Sequence, residues 1–405
     1  MKQPKYMACL LLVMPALGAS AQDYLDRVDD ALAFSTMHDQ VRARVSGLLD
    51  LEGYAFPQPP PGLIFSGDHS LFNPRLSMFL DAQVGSHLYV FAQGRVDRGF
   101  DPSDSSVEAR ADEYALRVTP WEDGRVSFQA GKFATVVGNW VERHRSWENP
   151  FVTAPLPYEN LMAVSDSDVP GSPQEFHGAE SESKYDHNPI IWGPSYASGG
   201  SVAGRLGKFE YAAEVKNTSL SSRPESWDAT DTGFEYPTVS ERVGFRPNQM
   251  WNLGFSASDG AYFRNDADSS LPPGHNVGDY RQLVLGQDLG FAWHKLQLWA
   301  ECYESRFQIP NVGMADTIAY YVECKYKFAP QFFGAVRWNQ QLFSQVSDGA
   351  GGEVPWGHDL WRTDLAFGYR FTAHTQFKLQ YSTRQEQSAS RDLTHMVAGQ
   401  FTLRF

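Results

Sequence analysis

After its first seventeen residues this chain has no long apolar run. A membrane-crossing helix needs about 20 consecutive apolar residues, so none is available. Cysteine is scarce: Cys9 lies in the apolar leader, and Cys302 and Cys324 alone remain, too few for a disulfide-held scaffold. Basic residues are outnumbered, 34 Lys and Arg against 48 Asp and Glu, and a net charge of −14 is the wrong sign for nucleic acid. Catalytic signatures are missing as well. There is no G-x-S-x-G, H-E-x-x-H, Walker or dinucleotide fingerprint. The eleven histidines are scattered, none paired at metal-ligand spacing, and the run Asp166-Ser167-Asp168 lacks the ordered ligands of a calcium loop. The residues therefore suggest no catalytic group, metal or cofactor.

What is present is aromatic residues at 14 %, 34 glycines, and a pattern of alternation under a negative mean hydropathy. The first 21 residues have the layout of a signal peptide: Lys2 and Lys5, an apolar core from Met7 to Leu17, and Ala19-Ser20-Ala21 as an A-x-A site with cleavage expected after Ala21. Residues 22–40 place Leu25, Val28, Ala31 and Leu32 at helical spacing among acidic neighbours, which predicts a short periplasmic N-terminal segment.

From residue 41 to residue 405 the period becomes two. In the run 41–53, Val41, Ala43, Val45, Gly47, Leu49, Leu51 and Gly53 share one face, and Arg42, Arg44, Ser46, Asp50 and Glu52 the other, with Leu48 the apolar exception. Side chains alternate across a strand, so one face is apolar and the other charged. Four charges on one strand face are costly in a dry core but natural in a water-filled lumen. Further strands are predicted near 75–84, 88–97, 111–119, 125–134, 198–206, 209–216, 238–246, 250–258, 280–292, 295–306, 316–327, 332–341, 359–371, 376–384 and 393–405, making about 16. Short turns (Gly85-Ser86, 206–208, 247–249, 293–294, 329–331, 372–375) alternate with long polar loops. Trp121, Trp251, Trp293, Phe328, Phe332, Tyr369, Phe371 and Phe405 gather beside the short turns, as an interfacial belt would. Cys302 and Cys324 are predicted outward on neighbouring strands, either bonded across the hairpin at Gly313 or free.

The chain closes on HMVAGQFTLRF, with Val397, Gly399, Phe401, Leu403 and Phe405 on one strand face and Gln400, Thr402 and Arg404 on the other. With the signal peptide and the entry segment AGKFATVVGNW (130–140) followed by WENPF (147–151), this strand resembles the bacterial outer-membrane porins. The resemblance implies an all-β fold, an antiparallel transmembrane β-barrel of about 16 strands closed by pairing of the last strand with 41–53, and a long third extracellular loop folded into the lumen. It also implies that Phe401, Leu403 and Phe405 form an assembly signal read by the barrel-assembly machinery. The other expected partners are outer-membrane lipid and lipopolysaccharide, small hydrophilic solutes, and further copies of the chain in a homotrimer.

The segment 135–197 offers no barrel strand, and in this count it is the third long loop. Insertions of this length are usually functional, and Trp140, Trp147, Phe151, Leu156, Tyr158 and Met162 argue for a folded one. It is divided by charge: Arg143, His144 and Arg145 come first, then Asp166, Asp168 and Glu175. Facing charges of opposite sign would set a transverse field across a constriction. The expected pore lining is Arg42, Arg44, Asp50, Glu52, Arg75, Asp81, Arg95, Asp97, Arg117, Arg337, Arg362 and Lys378. Within it the early-strand arginines read either as a ladder facing the loop or as lumen filler paired with Asp50, Glu52, Asp81 and Asp97. Phe79, Tyr89, Phe91, Trp299 and Tyr303 are the candidates for an aromatic track, against the alternative that Phe79 and Phe91 pack beneath the loop.

The leading expectation is a passive porin, not an enzyme, in the outer membrane. The alternatives are a channel selective for sugars, phosphate or organic anions, a barrel-borne hydrolase, and a soluble exported β-sandwich.

Overall fold

The computed structural model describes residues 14–36, 40–99, 107–178, 184–230, 232–387 and 392–405. Residues 1–13, most of the expected signal peptide, lie outside them. A helix, α1 (Met14–Ala31), carries Leu25, Val28 and Ala31 and leads into nineteen strands. These are β1 (Ala33–Thr36), β2 (Val41–Ala55), β3 (Ser70–Val84), β4 (Leu88–Asp97), β5 (Glu108–Val118), β6 (Ser127–Lys132), β7 (Ser198–Leu206), β8 (Phe209–Lys216), β9 (Thr238–Phe245) and β10 (Trp251–Ala261). They continue with β11 (Arg281–Trp293), β12 (Leu296–Ile309), β13 (Gly313–Lys327), β14 (Phe332–Phe343), β15 (Gln345–Ser347), β16 (Glu353–Pro355), β17 (Leu360–Arg370), β18 (Thr375–Glu386) and β19 (Leu393–Arg404).

Sixteen of these, β2–β14 and β17–β19, pair antiparallel in sequence order and close into a ring. The seam is β19 on β2, in register from Val397 opposite Ala55 to Arg404 opposite Leu48. Phe405 extends the seam by one residue. Its amide and carbonyl bond Gly47, and its ring lies where a Gly47 side chain would be. The remaining strands are minor: β1 pairs with the start of β2, and β15 and β16 form a hairpin inside a loop. The expected ring of sixteen is the observed one, and the 41–53 and 393–405 strands do meet.

Alternation makes the barrel inside-out. On β17, Leu365, Phe367 and Tyr369 are exposed while Arg362 and Asp364 are buried. On β18, Phe377, Leu379 and Tyr381 are exposed while Lys378 and Gln380 are buried. A continuous apolar exterior of this size on a water-soluble protein would aggregate. It suits a lipid-facing band about 25 Å tall, and a closed ring leaves no backbone edge unpaired in lipid. At the short-turn rim the aromatic pairs Phe209–Phe245 and Trp251–Phe291 have centroids 5.0 and 4.5 Å apart, and Phe328, Phe332 and Phe367 continue the belt.

Cys302 sits opposite Tyr320, and Cys324 opposite Leu298. Four residues of offset at ~3.3 Å each hold the sulfurs too far apart to bond, and both thiols are free.

Candidate functional site: the inner wall and the 133–197 loop

Between β6 and β7 the chain forms no barrel strand. Its two stems clasp each other, Phe133 N–H to Ala197 O (3.3 Å) and Thr135 N–H to Pro194 O (3.1 Å). The loop between them is tied to inward side chains of β11–β18. Asn139 and Trp140 donate backbone N–H groups to the Glu301 carboxylate, and Tyr158 Oη donates to the other oxygen at 2.7 Å. The turn that presents them needs Gly138, whose φ is +79° and whose Cβ would lie 2.0 Å from the Tyr303 hydroxyl.

The next anchor is Arg143. Its guanidinium pairs with Glu323 at 2.6 Å, bonds the Tyr321 hydroxyl at 3.0 Å and lies 4.3 Å from the Trp299 ring centre. A fully buried Lys378 then gathers three loop carbonyls, Ser146 (2.8 Å), Asn149 (2.9 Å) and Phe151 (3.1 Å), using all three ammonium protons. Gln380 accepts from Val152 and Thr153 N–H groups. Arg337 joins Asp364 (2.9 Å) to the Thr153 and Ala154 carbonyls, and Arg362 joins Glu159 and Asp364 to the Ala154 carbonyl. An apolar layer seals the contact: Trp140, Tyr158, Met162, Ile190 and Ile191 pack with Tyr303, Phe307, Ala315, Ala319 and Tyr321. The small alanines on β13 make the recess. Buried charges require partners, and here loop and wall supply them to each other.

The sequence-predicted residues distribute as follows. Arg337, Arg362 and Lys378 all bond the loop. Asp50 and Glu52 hold Arg75 at 3.0 and 2.7 Å and accept from Thr402 and Gln400. Arg95 pairs with Asp112 (2.9 Å) and Asp97 with Arg110 (2.6 Å). Arg44 pairs with Asp29 of α1, and Asp81 accepts from Tyr89. Arg42 and Arg117 stay exposed at the short-turn end, where Arg117 bonds Gln129 and lies near Tyr89 and Phe91. Phe79 packs with Leu48 and the loop residue Trp147 while Arg145 covers its ring, so the apolar exception on β2 is part of the loop's seat. Tyr303 is buried under the loop, and Trp299 is half-buried beneath Arg143.

The charged halves of the loop are not arrayed against each other. His144 is half-buried, bonded to the Val141 carbonyl and the Tyr196 hydroxyl, and desolvation of its ring with Arg145 and Arg95 nearby lowers its pKa to about 3, so the ring is neutral. Asp166 is spent on Arg223 at 2.6 Å, while Asp168 and Glu175 are exposed. The residues missed in sequence are the wall acceptors Glu301, Glu323 and Asp364 and the loop partner Glu159. Inward phase on their strands was the available signal for the first three. Nothing local marked Glu159, and Tyr158 stood out only as part of the loop's aromatic content.

No protein-family profile matches the sequence, and no curated protein matches it. Solved structures do match in shape. OmpF of Salmonella typhi, in complex with daunomycin, superposes with a TM-score of 0.57 at 11 % identity, covering 92 % of this chain and 100 % of that one. This is the porin fold. The trimer form of OmpT of Vibrio cholerae gives 0.56 at 12 % identity over 91 % of this chain and 100 % of that one. The outer-membrane channel DcaP of Acinetobacter baumannii gives 0.55 at 9 % over 92 % and 99 %. At such identities the agreement is one of fold alone.

Proposed function

We propose that the chain is an outer-membrane porin, a passive channel for small hydrophilic solutes, whose bore is narrowed by the loop 135–197. One observation carries the reading: an inside-out barrel whose longest loop hydrogen-bonds inward side chains on a run of adjacent strands, from Glu301 on β12 to Gln380 on β18. A loop held by so many inward groups occupies cross-section that would otherwise conduct. The fold shared with OmpF and DcaP favours a channel over an enzyme.

In this reading the short turns and both termini face the periplasm, lipid and lipopolysaccharide contact the aromatic exterior, and the assembly machinery reads Phe401, Leu403 and Phe405. A homotrimer is the assembly we favour, as in the OmpT trimer form. The test is single-channel conductance in planar bilayers. The full chain should give discrete steps, and deleting residues 140–190 should enlarge them. Unchanged conductance rejects the constriction, and an absence of steps rejects the channel.

A selective channel is the second reading. The observation favouring it is the exposed basic residues left at the short-turn end (Arg42, Arg117, Arg145, Arg205 and Lys208) in a chain that is acidic overall.

A further inference from the structure

We propose that residues 22–36 form a strap across the short-turn mouth of the barrel, latched by the charged form of His374 and released as pH rises. Its effect on current rests on the porin reading. The strap has two pieces. Asp26 and Asp29 are three residues apart and so share one face of α1. The helix closes where Leu32 N–H bonds the Val28 carbonyl, and β1 then pairs with residues 41–44 of β2, beside the end of β19. Arg44, an inward residue of β2, donates to both Asp29 oxygens at 2.7 Å. Asp29 thereby lines a cavity of about 340 Å³ together with the inward Leu48, Phe79 and Asp81 and the loop residue Trp147. Ala33, Phe34 and Ser35 of β1 border a second of about 380 Å³ with Arg42 and Tyr89. Both cavities open at the short-turn end, so the strap occupies part of the mouth through which solute passes.

His374 is the latch. It is buried in the turn between β17 and β18. Its Nδ1 donates to the Arg404 carbonyl at 2.9 Å and its Nε2 to the Asp26 carboxylate at 2.7 Å. Both oxygens only accept, so each nitrogen must carry a proton, and only the charged ring has two. A neutral ring would turn a lone pair toward one of the two oxygens. The latch is therefore complete at low pH and is lost as pH rises through the range in which histidine titrates, between about pH 5 and 8.

The other charges on the cavity that His374 lines are Asp29, Asp81, Glu148, Arg44, Arg145 and Arg404. Asp29 is matched by Arg44, Asp81 accepts from Tyr89, Arg145 covers the Phe79 ring, and Arg404 donates to the Ala373 carbonyl. Asp26 has no second partner among the described residues, so its hold on the barrel depends on the histidine proton. Release is partial. The Arg44–Asp29 pair and the β1–β2 pairing do not involve His374, so the part that swings free lies before Asp29 and includes the exposed Arg27.

Trypsin cleavage after Arg27 in the detergent-solubilised full chain reads the latch without conduction. Asp26→Asn is the reference, because an amide at this position accepts from the charged ring and donates to the neutral one, and so holds at either pH. At pH 8 the unaltered chain should be cleaved at least fivefold faster than Asp26→Asn, and at pH 6 the two should agree within twofold. In planar bilayers, raising the pH on the short-turn side from 6 to 8 should increase the conductance of the unaltered chain at least 1.3-fold and leave that of Asp26→Asn unchanged. His144 charges only near pH 3, below this window. A cleavage ratio that is the same at both pH values would overturn the latch and leave the porin standing. A pH-dependent ratio with constant conductance would overturn the placement of the strap across the mouth. A pH-dependent ratio from a chain that never conducts would support the latch and refute the channel.

Discussion

Replacing Lys378 with Met tests how the loop is held. Methionine is close in length and apolar, so the β18 backbone and its pairing with β17 and β19 should survive. What disappears is the donor for three carbonyls, those of Ser146, Asn149 and Phe151. A buried carbonyl deprived of its partner costs about 1–3 kcal/mol. The lower end applies here because water can reach the short-turn side of the loop as it loosens. Three such losses amount to roughly 3–5 kcal/mol, more than the free energy that holds most surface segments closed. The anchors at Glu301 and Glu323 on one side and Arg337 and Arg362 on the other remain, so detachment should be confined to residues near 145–152. The expected phenotype is a barrel that still shows heat-modifiable gel mobility, becomes cleavable within that segment by limited proteolysis, and conducts more. Unchanged protease resistance with unchanged conductance would show that the three bonds are incidental and refute the reasoning.

Three further predictions follow from single positions. His144 has a folded pKa near 3 against an ordinary 6.5, so its contribution is fully present above pH 6.5 and is lost as pH falls toward 3. At pH 4.5 an opening that exposes the ring gains about 3 kcal/mol, so proteolysis of the loop should accelerate roughly 100-fold from pH 7, and His144→Gln should remove most of that dependence. Gly138→Ala places a Cβ against the Tyr303 hydroxyl at a positive φ, costing at least about 1–2 kcal/mol from the backbone alone, and should lower the temperature at which the barrel unfolds on a gel; an unaltered midpoint would contradict the turn geometry. Glu241 lies exposed on the outer face of β9 between Val239 and Val243 and opposite Ala213 and Ala257, so Glu241→Leu should stabilise the barrel against denaturant in lipid vesicles by about 1 kcal/mol, whereas destabilisation would mean that this face is not against lipid.

The barrel is legible in local residue patterns. Period-two alternation, the short turns between strands, and apolar-out, charged-in logic at both ends are local signals, each legible within about ten residues. They placed most strand boundaries within two or three positions and identified the β19–β2 seam. They also located the long loop, because a missing strand is as local a fact as a present one. Which charges neutralise which depends on contacts distant in the chain. Lys378 meets Ser146 across 232 residues of chain and Arg143 meets Glu323 across 180. An inward phase says only that a side chain points into the ring, not what approaches it there. That is why Arg337, Arg362 and Lys378 read as pore lining and prove to be anchors. It is also why Asp166, read as one pole of a field, is bound to Arg223. Alternation fixes direction one strand at a time, whereas pairing depends on where a sixty-residue segment comes to rest, and the burial of charge that settles it exists only once loop and strands have met.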